Sequence, residues 1–388
     1  MITKKLYETD GALREFTAKV ISCVPARKVA PKDAAFEIIL SQTAFFPEGG
    51  GQYADSGNLG NASVIDVQEI DGEIIHYTDV PLPEGAEVMG LLNWEERLRK
   101  MQNHSGEHLI SGIVHKQFGY DNVGFHLGKD EVTVDFSGIL TDAELRFVEY
   151  IANRVVALNV PIMVSYPTLE EACAMDYRSK LDNIEDLRIV TIGEWDCCAC
   201  CAPHLDATGQ IGCIKIIDSE NWKNGVRVRM LCGLDALNDY QKRLENTARI
   251  SELLSAKQHE TAVAVERLVR NLQNEHTIQM QLKNALLESK IAQLQPTEGN
   301  LVLFDSLLDP DTLRKLVNAG TSVCKGVCAV FSGNDTDGYR YIIGSANGNL
   351  RVAAKECNAA LNGRGGGSDQ MIQGTMMATA EQIKAYFA

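Results

Sequence analysis

Two pairs of metal-binding side chains, far apart in the chain, constrain its fold more than any other feature. His104 and His108 stand four residues apart in Asn103-His-Ser-Gly-Glu-His-Leu109, and Cys200 and His204 repeat that spacing in Cys-Cys-Ala-Pro-His. On a helix, such spacing puts both side chains on one face, one turn apart. Together the pairs offer three imidazole nitrogens and one thiolate, a set suited to a tetrahedral zinc ion. If they share that ion, the two stretches meet in the folded chain.

The same residues admit other readings. Cys197-x-x-Cys200 is also half of a zinc knuckle or a redox pair, although no second CxxC follows at finger spacing. Helical pairing with His204 favours Cys200 as the ligand, with Cys197, Cys198 and Cys201 as small buried neighbours. His104-Ser-Gly-Glu-His108 also matches the H-x-x-E-H pattern of inverzincin metallopeptidases, where Glu107 would be the base. Cys200 and His204 would then have no role. On a helix Glu107 points about 100° away from His108, which weakens it as a base. Cys324 and Cys328 read as core thiols.

At 388 residues the chain exceeds one ordinary core, so about two to four domains are expected. Its 45% hydrophobic and 23% charged residues are those of a soluble globular protein. No apolar run reaches the roughly eighteen residues that span a bilayer, and the amino end lacks the apolar core of a signal peptide. Eleven cysteines in such a chain point to reduced thiols, metal ligation and a cytoplasmic location. A net charge of −15 works against nucleic-acid binding. The excess lies upstream, however, because residues 300–388 carry eight Lys+Arg against eight Asp+Glu.

Residues 1–95 alternate apolar and polar positions in short runs, as in Phe16–Cys23, Phe36–Leu40 and Ala62–Val67. Broken by Gly, Asp and Pro, these runs predict a small β-barrel or sandwich. From Trp94 to His115 the pattern turns helical, with Leu98, Met101, Leu109 and Ile113 as candidate buried positions. Residues 96–232 mix strands and helices in an α/β domain, and Thr141 and Glu144 form a capping box at one helix start. Between Gly233 and Pro296 there is neither glycine nor proline, and helix formers dominate. Leu254, Val265, Leu268, Leu272, Leu282 and Leu286 approximate a heptad stripe that Gln258 and Glu275 interrupt. The spacing predicts one long helix or an antiparallel pair over 233–296. It is either a spacer or a coiled coil that makes a homodimer, with residues 297–388 as the other candidate dimer contact. Residues 297–388 read as a C-terminal α/β domain, so the class expected for the whole chain is α+β.

Two glycine runs stand out. Phe45-Phe-Pro-Glu-Gly-Gly-Gly-Gln-Tyr53 is either a plain loop or a place where backbone approaches a ligand. Thr43 just upstream is a solvated hydroxyl unless it faces a pocket, where it would bind a substrate hydroxyl. Gly363-Arg-Gly-Gly-Gly-Ser368 reads as a flexible turn or as a loop whose N–H groups cradle phosphate, with Arg364 adding a planar fork. It lacks the Lys-Ser/Thr of a P-loop, so no ATP site is expected. Arg97, Arg99 and Lys100 read as a solvated helix face or as local bases for nucleic acid.

Together these motifs resemble the alanyl-tRNA editing proteins of the AlaX family and the editing half of alanyl-tRNA synthetase. Four signatures stand in the family's order: Thr43–Gly57, Asn103–Leu109, Cys200–Gly212 and Gly363–Gly374. They span essentially the whole chain, and the last, behind a helical spacer, resembles the long AlaX form. The resemblance implies that His104, His108, Cys200 and His204 hold zinc in an editing domain over 96–232. It implies that Thr43 contacts the hydroxyl of a misattached serine, that Gly50, Gly51 and Gln52 line the aminoacyl pocket, and that Thr43 and Gln52 serve catalysis. It also implies that Arg364, Gly365, Gly366 and Gly367 help to hold tRNA. The activity implied is hydrolysis of mischarged tRNA(Ala), chiefly Ser-tRNA(Ala), with Gly-tRNA(Ala) as a second candidate. Two departures stand out. Synthetase editing sites carry Cys-Gly-Gly-Thr-His, whereas here Cys201, Ala202 and Pro203 lie between the ligands. Where many synthetases have a glutamine beyond the second histidine, this chain reads Val123-Gly-Phe-His126, which makes His126 a candidate substrate contact. A non-enzymatic tRNA-binding protein with a closed structural zinc is the rival from another class, because hydrolytic zinc keeps an open position.

Overall fold

The computed structural model describes residues 3–27, 30–128, 131–179, 187–306 and 308–388. The chain divides into two compact units, Met1–Arg249 and Ile250–Ala388. The class is α+β, with eight α-helices and several separate sheets among the described residues. No helix among them is long and apolar enough to cross a membrane.

In the first unit, six strands pair antiparallel in the order Glu15–Pro25, Phe36–Leu40, Glu73–Thr78, Ala62–Ile70, Gly57–Leu59 and Glu87–Leu92. The last pairs back onto the first, so this sheet closes on itself and has no free edge. Closure follows the alternation in the sequence. Along Glu15–Pro25, Phe16, Ala18 and Val20 turn inward while Glu15, Thr17 and Lys19 stay outside. Leu40, Phe45, Leu59, Val67 and Ile74 complete that core.

Helix Trp94–Phe118 follows directly. Asn93 caps its start by accepting from the Glu96 N–H, and Gly119, at φ +70°, ends it in the left-handed region. Every residue from Lys100 to Val114 is buried. A four-stranded antiparallel sheet (Ile214–Trp222, Gly225–Cys232, Val132–Phe136, Asn122–Leu127) and helix Asp142–Leu158 share its core. Met101, Leu109 and Ile113 lie inside as expected, whereas Leu98 is half-buried. The capping box of Thr141 and Glu144 has both of its hydrogen bonds. A helix buried all round carries its polar residues inside, where each needs a partner.

Arg97, Arg99 and Lys100 are the first example, and here the structure corrects both sequence readings. Arg97 and Lys100 are fully buried and both bind Asp55. Arg99 is paired with Asp235 at 2.7 Å. None is a solvated surface base, because the loop carrying Asp55 packs over this face.

The stretch 233–296 holds two helices, Gly233–Leu254 and Thr261–Ala292, separated by a 3-10 turn at Gln258–Glu260. The break needs neither glycine nor proline, since Ser255 itself takes φ +48°. Leu268, Leu272, Leu282 and Leu286 of the heptad stripe are exposed. In the second unit, five strands run in the order Leu301–Phe304, Val327–Asn334, Gly338–Ser345, Met371–Met376, Gly363–Gly367. The first pair is parallel and the others antiparallel. Cys324 and Cys328 are buried there. Gly363–Gly367 is an edge strand, not a phosphate-cradling loop. Arg364, Gly365, Gly366 and Gly367 pair with residues 372–375 and are exposed, so their N–H groups alternate in direction instead of converging on one anion.

Candidate active site

His104 and His108 sit mid-helix in Trp94–Phe118. Cys200 and His204 do not lie on a helix, as their spacing suggested, but on the extended loop after strand Asp196–Ala199. Pro203 within that loop lacks the N–H a helical turn would use. The four residues meet nonetheless. Cys200 Sγ is 3.5 Å from His104 Nε2 and 3.4 Å from His204 Nε2. One donor atom from each of the four lies within 4.8 Å of all the others.

Each imidazole is held from behind at its second nitrogen. His104 Nδ1 donates to Gln52 Oε1 at 3.0 Å, and His108 Nδ1 donates to Asp196 Oδ2 at 2.9 Å. His204 Nδ1 meets Ser105 Oγ at 3.2 Å. These contacts turn the Nε2 atoms toward Cys200. Outer carboxylate, amide and hydroxyl partners of this kind fix the tautomer of metal-ligating histidines. Asp196 is clamped in turn by Arg178, through Nε at 2.8 Å and Nη2 at 2.9 Å. The donor set therefore fits a zinc ion in number, chemistry and outer support.

The electrostatics favour a thiolate at Cys200 and a neutral ring at His204. Burial works to raise the Cys200 thiol, but the His104 and His204 rings beside it bring its pKa well below the ordinary value. Burial pushes His204 down to about 3. His108 is opposed by burial, yet its hydrogen bond to Asp196 raises it well above the usual value. Cys198 lies near His108 and Asp196, and burial pushes its thiol up to about 11. Cys197 and Cys198 are half-buried and Cys201 is exposed, so the cysteines around Cys200 are not the buried neighbours expected.

The three glycines explain how Gln52 arrives. Gly49 and Gln52 exchange backbone hydrogen bonds at 3.0 Å across a tight turn, and Gly50 and Gly51 take φ +60° and +81°. At Gly51 a Cβ would lie 2.3 Å from the Phe125 carbonyl oxygen. Only glycine lets the turn dock on strand Asn122–Leu127, where Leu127 N–H reaches Gly51 O at 2.7 Å. Gln52 then lies 1% exposed against His104, with its Nε2 unpartnered. Gly112 does the same for the other side: a Cβ there would lie 2.2 Å from the Trp195 carbonyl oxygen, and that close approach seats Asp196 on His108.

The donor cluster opens on a cavity of about 1380 Å³ lined by Gly50, His104, Glu107, His108, Phe125 and Arg178, among others. Of the expected pocket residues Gly50 is in its lining, whereas Gly51, Gln52, Thr43 and His126 are not. Thr43 is fully buried, with its hydroxyl donating to His76 Nε2 at 2.8 Å and accepting from Phe45 N–H at 3.1 Å. His126 is exposed and does not line the cavity, because strand alternation gives that face to Val123 and Phe125. Phe125 packs on His104 with ring centroids 4.9 Å apart. Sequence reasoning missed Asp196, Ser105, Arg178 and His76. Ser105 and Asp196 lie close to the ligands in sequence, which was the available signal, whereas nothing local marks Arg178 or His76.

A family model described as Threonyl and Alanyl tRNA synthetase second additional domain matches residues 187–230, the stretch carrying Cys200 and His204. The alanyl-tRNA editing protein AlaX-L of Pyrococcus horikoshii is 26% identical over 98% of this chain and 96% of its own. Over most of its length the chain is similar to alanyl-tRNA editing proteins. The editing protein Aarsd1 of Danio rerio is 28% identical over 80% of this chain and 78% of its own. The alanine–tRNA ligase of Pyrococcus abyssi is 29% identical over 99% of this chain but only 43% of its own. The chain thus spans less than half the length of the synthetases it matches. Among solved structures, the C-Ala domain from Aquifex aeolicus alanyl-tRNA synthetase covers 23% of this chain and 86% of its own at 23% identity. Its TM-score of 0.20 is too low to carry an argument.

Proposed function

We propose that this chain is a trans-acting, ATP-independent hydrolase of the cytoplasm that cleaves the ester joining a wrong amino acid to tRNA(Ala). Serine is the chief substrate of this reading. The observation that carries it is the convergence of His104, His108, Cys200 and His204, each ring held from behind, on a cavity walled by a glycine turn. A zinc ion held by those four residues would supply Lewis-acid chemistry beside the ester. The chain's own residues do the rest. Gln52, Asp196 and Ser105 orient the rings. The Gly50 amide at the cavity wall has no partner within the described chain, and it would donate to the ester carbonyl oxygen as charge develops there. Phe46 and Phe125 give the cavity apolar walls. An aminoacyl ester is already activated, so no strong nucleophile is needed. His126 has no part in this reading, and Arg364 with Gly365, Gly366 and Gly367 would meet tRNA as an exposed strand edge.

Four protein donors also suit a closed structural zinc, which leaves a tRNA-binding protein as the second reading. Deacylation of Ser-tRNA(Ala) and Ala-tRNA(Ala) by purified protein separates the two. The proposal expects selective loss of serine, and loss of both hydrolysis and bound metal in Cys200→Ala. Folded, zinc-loaded protein that hydrolyses neither ester would leave the second reading. Thr43 would meet a serine hydroxyl by giving up its bond to His76, so Thr43→Val is expected to narrow the preference for serine over alanine. Unchanged relative rates would remove Thr43 from the site.

A further inference from the structure

Glu107 is a charged side chain in the wall of the cavity that the proposed hydrolysis leaves without a task. It lies three residues after His104, so it shares the helix surface facing the cavity, and it lines the same space as His104 and His108. The residue as a whole is 3% exposed. One carboxylate oxygen, Oε1, accepts from Ser111 Oγ and from Asn122 Nδ2 at 2.5 Å each. The other, Oε2, has no partner among the described residues. Arg178, whose charge Glu107 influences, commits its guanidinium to Asp196. Glu107 is not one of the four clustered donors.

A carboxylate oxygen at a cavity wall that takes no hydrogen bond from the protein is open to a donor from a ligand. Two donors on Oε1 fix the carboxylate's orientation, which suits a stationary anion better than a group that must swing to take a proton. Every aminoacyl ester carries a protonated amine on the carbon next to the scissile carbonyl. A site that brings that carbonyl to His104 and His108 must therefore accommodate a cation a few ångströms away. We propose that Glu107 is the subsite for this α-ammonium group, bound through Oε2. The inference rests on the aminoacyl-ester reading above and adds to it the recognition of the amine.

The test compares Ser-tRNA(Ala) with its deaminated counterpart, in which a hydroxyl replaces the ammonium at nearly constant size. Wild-type protein should cleave the amine-bearing ester at least tenfold more efficiently, as kcat/KM. Glu107→Gln keeps an oxygen for Ser111 and Asn122 but removes the charge. It should bring the ratio near one, chiefly through KM for the amine-bearing ester, with bound zinc and the thermal midpoint unchanged. Equal loss on both esters, or an unchanged ratio, would overturn the assignment. So would a wild-type protein indifferent to the amine, a result that needs no variant. If wild-type protein cleaves neither ester, the hydrolase reading itself fails and this inference falls with it.

Discussion

Helix Trp94–Phe118 carries two buried polar clusters, little more than one turn apart, and they use their charges differently. Around Arg97 and Lys100 the groups close on one another. Asp55 binds both cations, Arg97 also donates to the Gly11 and Ala44 carbonyls at 2.9 and 2.6 Å, and Lys100 donates to the Ala54 carbonyl at 2.6 Å. Glu96, 3.8 Å from Lys100, supplies a second carboxylate for the second cation. Around His104 and His108 the outward nitrogens are satisfied, and the inward atoms are three ring nitrogens and the Cys200 sulfur, which face one another. The first cluster is complete without a ligand and ties the loop around Asp55 to the helix. The second gathers donor atoms that could hold a cation. Burial of polar atoms is common to both, so it does not by itself mark a functional site; the direction of the unspent lone pairs does.

That contrast can be broken by substitution, and the largest effect is expected at Asp55. Burial would raise its carboxyl, but the Arg97 and Lys100 charges hold it below its ordinary value. Asp55→Ala leaves two cations buried without their shared partner and should cost about 3–5 kcal/mol of unfolding free energy in urea. A loss under about 1 kcal/mol would mean that the cluster is not the self-satisfied staple described here.

His76 belongs to the same self-satisfied kind. Its Nδ1 donates to the Ile38 carbonyl at 3.1 Å, Nε2 accepts from Thr43, and burial lowers its pKa to about 4. The unfolded chain, with an ordinary histidine near 6.5, binds the proton first as pH falls. Stability from the neutral ring is therefore present above 6.5 and lost between 6.5 and about 4, amounting to about 3 kcal/mol at most. Denaturation series at several pH values should show that slope, reduced in His76→Gln. An identical slope in the variant would assign the acid sensitivity elsewhere.

Gln52 belongs to the converging cluster, and the effect expected there is the smallest and falls on metal, not on folding. Gln52→Ala should weaken zinc binding about 10–100-fold in competition with a chelator, with little change in the urea midpoint. The reverse pattern, lower stability with metal affinity intact, would place Gln52 with Asp55 instead.

Much of this was legible in the chain. The alternation along Phe16–Cys23, the helix from Trp94, the capping box at Thr141 and the grouping of His104, His108, Cys200 and His204 could all be read from spacing. Those features depend on the two local periodicities, 2 and 3.6, and on short-range capping. Other features were read wrongly for a shared reason. The i, i+4 spacing of Cys200 and His204 implied a helix, yet Pro203 and the packing of strand Asp196–Ala199 give a loop that reaches the same point. The basic run at 97–100 implied a wet face, and Asp55, 42 residues before Arg97, took Arg97 and Lys100 inside. The angle of Glu107 from His108 implied that it pointed away, whereas its closeness to His104 brought it to the cavity.

By itself, then, the sequence determined which side chains bear chemistry and which segments are strand or helix, because propensity and periodicity act over a few residues. Tertiary structure alone decided which polar groups satisfy each other and which are left facing a cavity. The partner of a buried charge or imidazole is chosen by close packing across the chain, as Gln52 for His104 and Asp196 for His108 show.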